Sequence, residues 1–99
     1  MPKIDLKHES KLPPNEAMAK IKSFFESDKD LQKIDSNIKT DFKDQTGKVS
    51  GSQFTAQIQT KAKNSGSEIQ VTVEIPLLLS MFKGKIQEMV DKKLKKYLA

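Results

Sequence analysis

The sequence predicts an α+β fold in the order strand, helix, three antiparallel strands, long helix, with a four-stranded antiparallel sheet covering the last helix. Three stretches carry this. Ile69, Val71, Val73 and Ile75 alternate with Glu68, Gln70, Thr72 and Glu74, the clearest strand in the chain. After Pro76, the residues Leu78, Leu79, Phe82, Ile86, Met89, Val90, Leu94 and Tyr97 share an arc of roughly 160° on a helical wheel. Earlier, Pro13-Pro14 followed by Glu16 sets up a helix start, because proline suits the first helical turn and an acid suits the positive end of the dipole.

Taken in order, Ile4 and Leu6 alternate with Lys3, Asp5 and Lys7, which predicts a short first strand with His8 solvated at its end. In the helix that follows, Ala17, Met18, Ile21, Phe24, Phe25 and Leu31 fall within about 140° of one another. Asp28 lies inside that arc, so the helix is expected to fray between Glu26 and Asp30 and keep the carboxylate in water. Ile38 to Phe42 alternates as a second strand, and Asp44-Gln-Thr-Gly47 has turn chemistry. On the return, Val49 is odd-numbered whereas Phe54, Ala56, Ile58 and Ala62 are even. This slip predicts a bulge at Gly51. Lys63-Asn-Ser-Gly-Ser67 closes a second hairpin, and Pro76 ends the last strand before the long helix.

Ninety-nine residues, 1–99, read as a single domain, able to bury somewhat over ~60% of the surface its unfolded chain exposes. The chain has no cysteine, its start lacks the apolar run of a secretory leader, and its longest apolar run is broken by Pro76 and Ser80. These features predict a cytoplasmic protein without a transmembrane segment. The net charge of +5 is carried by 18 lysines and no arginine. Without the planar guanidinium fork, sequence-specific nucleic-acid recognition is not expected, and loose attraction to anionic surfaces remains. Six lysines between Lys83 and Ala99 face only Glu88 and Asp91, so the last helix holds +4 of the excess.

No catalytic pattern emerges. Gly47-Lys48-Val49-Ser50 lacks the first glycine and the strand-to-helix setting of a phosphate loop. Asp28-Lys-Asp30 opens like a calcium loop, but Lys33 and Lys39 stand where glycine and a bidentate acid belong. His8 is the one histidine, leaving no ligand set and little choice of base. The expectation is a non-enzymatic binding or structural protein with no catalytic residue, no cofactor and no metal.

Leu77 and Met81 sit at about 220° and 260° on the wheel, away from the core arc. With the outward Lys85 and Lys92 they form an apolar and basic flank expected to meet a second copy in a homodimer or a hydrophobic surface. The alternative is a small module that holds an acyl or aromatic ligand between sheet and helix, its pocket lined by Phe24, Phe54 and Phe82.

Pro14-Asn-Glu-Ala17, Phe42 followed by Gly47 and Gly51, Val71-Thr-Val-Glu-Ile-Pro-Leu-Leu-Leu79 and Ile86-Gln-Glu-Met-Val90 with Leu94 and Leu98 resemble the small polyhydroxyalkanoic acid system family of bacteria. The resemblance covers nearly the whole chain. It implies a protein encoded near polyester storage genes and associated with the polyester granule surface, without an established enzymatic activity. The order of elements also resembles a shortened helix-grip domain, which implies the fold of lipid-transfer and aromatic-ligand proteins.

Overall fold

The most regularly alternating stretch of the chain becomes the strand on which the sheet is assembled. A computed structural model describes residues 3–64 and 66–98. Its elements are β1 (Lys3–Ser10), α1 (Pro14–Ser27), α2 (Lys29–Ile34), β2 (Lys39–Lys43), β3 (Thr46–Ser50), β4 (Thr55–Lys63), β5 (Gly66–Glu74), a 3-10 segment (Leu77–Phe82) and α3 (Lys83–Leu98). Ser65 of the expected second hairpin, and residues 1, 2 and 99, lie outside the described residues. The sheet runs β1-β5-β4-β3-β2, with β5 paired on one side to the first strand of the chain and on the other to its hairpin partner.

Five strands replace the predicted four, and the parity slip is where the extra one arises. Residues 51–54 form a reversal, not a bulge: Gly51 N donates to Phe54 O at 2.9 Å, and β3 and β4 pair antiparallel on either side. The buried carboxylate of Asp35 holds this reversal by accepting the Gln53 N–H at 2.7 Å and the Asn37 N–H at 3.0 Å. A side chain at residue 51 would be driven into that carboxylate. The first hairpin also differs from expectation. Its turn is Asp44, at φ 54°, with Gln45, while Gly47 lies inside β3 beneath the ring of Phe42. β1 is eight residues long, longer than predicted, and Ala62 is exposed.

Apolar rows run across the sheet because strand neighbours in register share a face. Ile4, Val73, Ala56 and Val49 make one row, continued by Thr40. Leu6, Val71, Ile58, Gly47 and Phe42 make the next. Gly47 leaves room in that row for the Phe42 ring. The opposite face carries Lys3, Asp5, Lys7, Gln57, Gln59 and their neighbours and is exposed, as expected for an antiparallel sheet covered on one side.

The helices cover the apolar rows. α1 begins at Pro14 with Ala17 N donating to Pro13 O, and buries Ala17, Met18, Ile21, Phe24 and Phe25. It stops where Asp28 turns extended, and Asp28 then starts α2 by accepting the Leu31 N–H at 3.1 Å. Instead of fraying into water, Asp28 is 4% exposed, and Leu31 packs into the core from a second helix. α3 buries Val90, Leu94 and Leu98 beside α1 and β1, and Ser10 Oγ donates to Leu98 O at 3.1 Å. The long helix of the sequence reading is thus two pieces, a 3-10 segment and an α-helix.

Gly51 and Gly84 predict opposite outcomes for the same change. Gly51→Ala forces Asp35 to move and is expected to destabilise by about 1–3 kcal/mol. Gly84→Ala, with open space around it in α3, is expected to stabilise by about 0.5–1 kcal/mol. Urea unfolding of the two variants checks both signs.

Candidate interaction surface

Pro76 cannot continue the β5 ladder, and the six residues after it wind as a 3-10 turn that opens with Leu79 N donating to Pro76 O at 2.9 Å. Side chains three apart eclipse in this geometry. Pro76, Leu79 and Phe82 therefore form the row turned towards the core, with Phe82 at its rim and 44% exposed. Leu77, Leu78 and Met81 stand away from it, 75%, 88% and 80% exposed. An α-helical wheel advances 100° per residue and brings Leu78 inside. The 120° step of three residues per turn leaves it outside, which corrects its assignment to the buried arc; Phe82 keeps the core-facing row but is exposed at its rim instead of buried.

The sequence-predicted surface residues are not all together. Leu77 and Met81 share the 3-10 segment, and Lys85 follows in the first turn of α3, exposed beside Lys83. Lys92 lies two helical turns further on and pairs with Glu88 at 3.2 Å. Wheel analysis missed Leu78 as a surface residue. The signal that reveals it is an apolar run directly after proline, which is not obliged to be α-helical.

α3 starts with no acid in its first turn and with two lysines instead. Cations at the positive end of a helix dipole are electrostatically opposed to it. The apolar ridge is thus bordered by a positive potential that an anionic group would offset.

The residues expected to line a ligand pocket separate as well. A small apolar cavity lies between β5 and the start of α3, walled by Phe25, Phe54, Ile75, Leu79, Ile86 and Met89 among others. Its volume is about 20 Å³, room for roughly one water, whereas a cavity that takes benzene is on the order of 150 Å³. Phe54 lines it. Phe24 is packed into the core instead, its ring 4.9 Å from Phe25 and 5.4 Å from Tyr97, and Phe82 is at the surface.

Polar groups beneath α3 hold its C-terminal turns. Asp28 Oδ2 accepts from Tyr97 Oη at 3.1 Å and meets Lys93 Nζ at 3.1 Å, and Lys93 also reaches Asp30 at 2.8 Å. Burial pushes the Asp28 carboxyl up, but the Leu31 N–H, Lys93 and Tyr97 outweigh it and hold the group below its ordinary value of 3.8. Asp35 is treated alike: burial raises it, and the N–H groups of Gln53, Asn37, Ser52 and Phe54 bring it below the same value. His8, expected in solvent, is nearly buried under α3. Its Nε2 is 2.9 Å from Asp91 Oδ1 without a hydrogen-bonding alignment of the ring N–H.

Among the described residues, no helix is long and apolar enough to cross a membrane. The family described as "Putative polyhydroxyalkanoic acid system protein" matches residues 4–98. Among solved structures, the crystal structure of TTHA0849 from Thermus thermophilus is similar with a TM-score of 0.59 at 12% identity, covering 98% of this chain and 94% of that one. The crystal structure of Ara h 8.0201 gives a TM-score of 0.51 at 12% identity, over 98% of this chain and 97% of that one. At this identity the likeness is one of fold, the helix-grip arrangement, here on a five-stranded sheet. No curated protein matches the chain.

The two lowered carboxyls predict an acid limit. A carboxyl depressed in the folded state contributes stability above its ordinary value, and this is lost as pH falls through the folded value. Unfolding free energy is therefore expected to drop below pH 3.8. Asp28→Asn keeps a helix cap but loses the ion pair; it is expected to lower stability near neutral pH by about 1–2 kcal/mol and to flatten the acid slope. Urea titrations of both proteins across the acid range check this.

Proposed function

We propose that this chain, which belongs to the polyhydroxyalkanoic acid system family, is a non-enzymatic protein that seats its 3-10 ridge on the hydrophobic surface of a polyester granule. The observation that carries this is the exposure of Leu77, Leu78 and Met81 within one short turn, with Phe82 at its edge. An apolar ridge of this kind gains about 1.5–3 kcal/mol for each large side chain it buries. Lys83 and Lys85 stand at its border, where they favour the anionic groups of an interface.

The ridge is held between two packed elements. β5 ends directly before it, and α3 is anchored behind it through Val90, Leu94 and the Asp28 contacts. Its apolar side chains reach outward without any of the buried core being surrendered. The small apolar cavity counts against the alternative of an acyl or aromatic ligand held inside, since such a ligand would have to displace Phe54, Leu79 or Ile86.

Sedimentation with washed polyhydroxyalkanoate particles tests the reading. Wild-type protein is expected in the pellet, and Leu77→Ser/Leu78→Ser/Met81→Ser is expected in the supernatant, with partitioning reduced about 100-fold or more. Because all three positions are exposed, the variant's unfolding midpoint should stay close to wild type. Wild-type protein left entirely in the supernatant would sink the proposal.

A further inference from the structure

The sheet has an open side whose sequence is complementary to itself. β1 pairs with β5 along all eight of its residues, and no strand among the described residues covers its other side. A strand edge of this length offers its unpaired N–H and C=O groups to another strand. Its side chains alternate Lys3, Asp5, Lys7 and Glu9 on the exposed face with Ile4, Leu6 and His8 on the helix face.

Two antiparallel copies of this strand centred on Leu6 would set Lys3 opposite the second copy's Glu9 and Asp5 opposite its Lys7. On the helix face Leu6 would stand opposite Leu6 and Ile4 opposite His8, side chains already buried or nearly so within each copy, so the seam is selected on the charged face. The charges select this register. Moving the centre to Asp5 sets Lys3 against Lys7 and Asp5 against Asp5. Moving it to Lys7 sets Asp5 against Glu9 and Lys7 against Lys7. A shift by a single residue turns the apolar face of one copy towards the polar face of the other. β2, the other edge, behaves differently: pairing it with itself about its midpoint opposes Asp41 to Asp41 and Lys39 to Lys43.

The charges within one copy leave a place for the second. Glu9 lies directly across from Glu68 in the β1–β5 register, a like-charge pair. Lys63 bridges it from one side, 2.6 Å from Glu9 and 3.3 Å from Glu68. The register centred on Leu6 brings a second lysine, Lys3, to the open side of Glu9. Lys7, which already meets Glu68 at 3.4 Å, would gain Asp5.

We propose that β1 is a homodimerisation edge, in which two copies pair antiparallel about Leu6 under a two-fold axis perpendicular to the sheet. That axis keeps the helices of both copies on one side of a continuous sheet. The inference stands independently of granule binding, because it uses none of the 3-10 ridge.

Sedimentation velocity on wild type, Asp5→Lys, Lys7→Asp and an equimolar mixture of the two variants tests it. Wild type is expected at twice the chain mass. Each variant alone opposes like charges across the seam and is expected at the single-chain mass. The mixture pairs Lys with Asp at both positions and is expected to return to the doubled mass. A wild type that stays at the single-chain mass at its highest soluble concentration overturns the proposal. A variant that remains doubled, as it would if copies met through Leu77 and Met81, overturns it too, and so does a mixture of folded variants that stays single. Amide exchange on the unaltered protein reads the same seam without relying on variants that fold. Outward amides of β1, and not those of β2, should gain protection as concentration rises, and no gain in β1 refutes the pairing.

Discussion

One carboxylate determines where the last helix lies. Asp28 ends α1, caps α2 through the Leu31 N–H and receives Tyr97 and Lys93 from α3, so three helices meet at a single side chain. A buried carboxylate is tolerable only when each lone pair has a partner, and here the partners come from elements far apart in sequence. Their arrangement holds the C-terminal turns of α3 against α1 and β1.

A second buried carboxylate has the corresponding role in the sheet. Asp35 binds the reversal between β3 and β4, and Gly51 is the residue that admits it. In sequence Asp35 looks like an ordinary loop residue, and Asp28 stands out only by its place inside an apolar arc. Their contribution comes from partners that the chain brings to them, backbone N–H groups for Asp35 and the Leu31 N–H with Lys93 and Tyr97 for Asp28, and composition does not encode this.

Strand periodicity made much of the sheet legible: β5, the apolar positions of β1 and the even-numbered face of β4 follow directly from alternation. The break between β3 and β4 was visible as a slip of parity, but a bulge and a tight reversal leave the same trace when the flanking strands are short. What distinguishes them is Asp35, which lies outside the stretch being read. α2 was hidden because its six residues are fewer than helical periodicity needs to register. On the surface, Leu77 and Met81 could be read as outward on the wheel, whereas Leu78 depended on knowing that the turn after Pro76 has three residues per turn. The folding of these pieces follows local rules, and the 3-10 segment meets the core through its own Leu79.

Tyr97 carries a consequence of a different kind. It is the single tyrosine of a chain with no tryptophan, and its hydroxyl is bonded to Asp28 while its ring rests against Phe24. The tyrosine emission of the whole protein thus originates at the junction of the three helices. Undocking of α3 would change the environment of the chain's one tyrosine ring, so the molecule carries a built-in optical reporter of whether its last helix is seated.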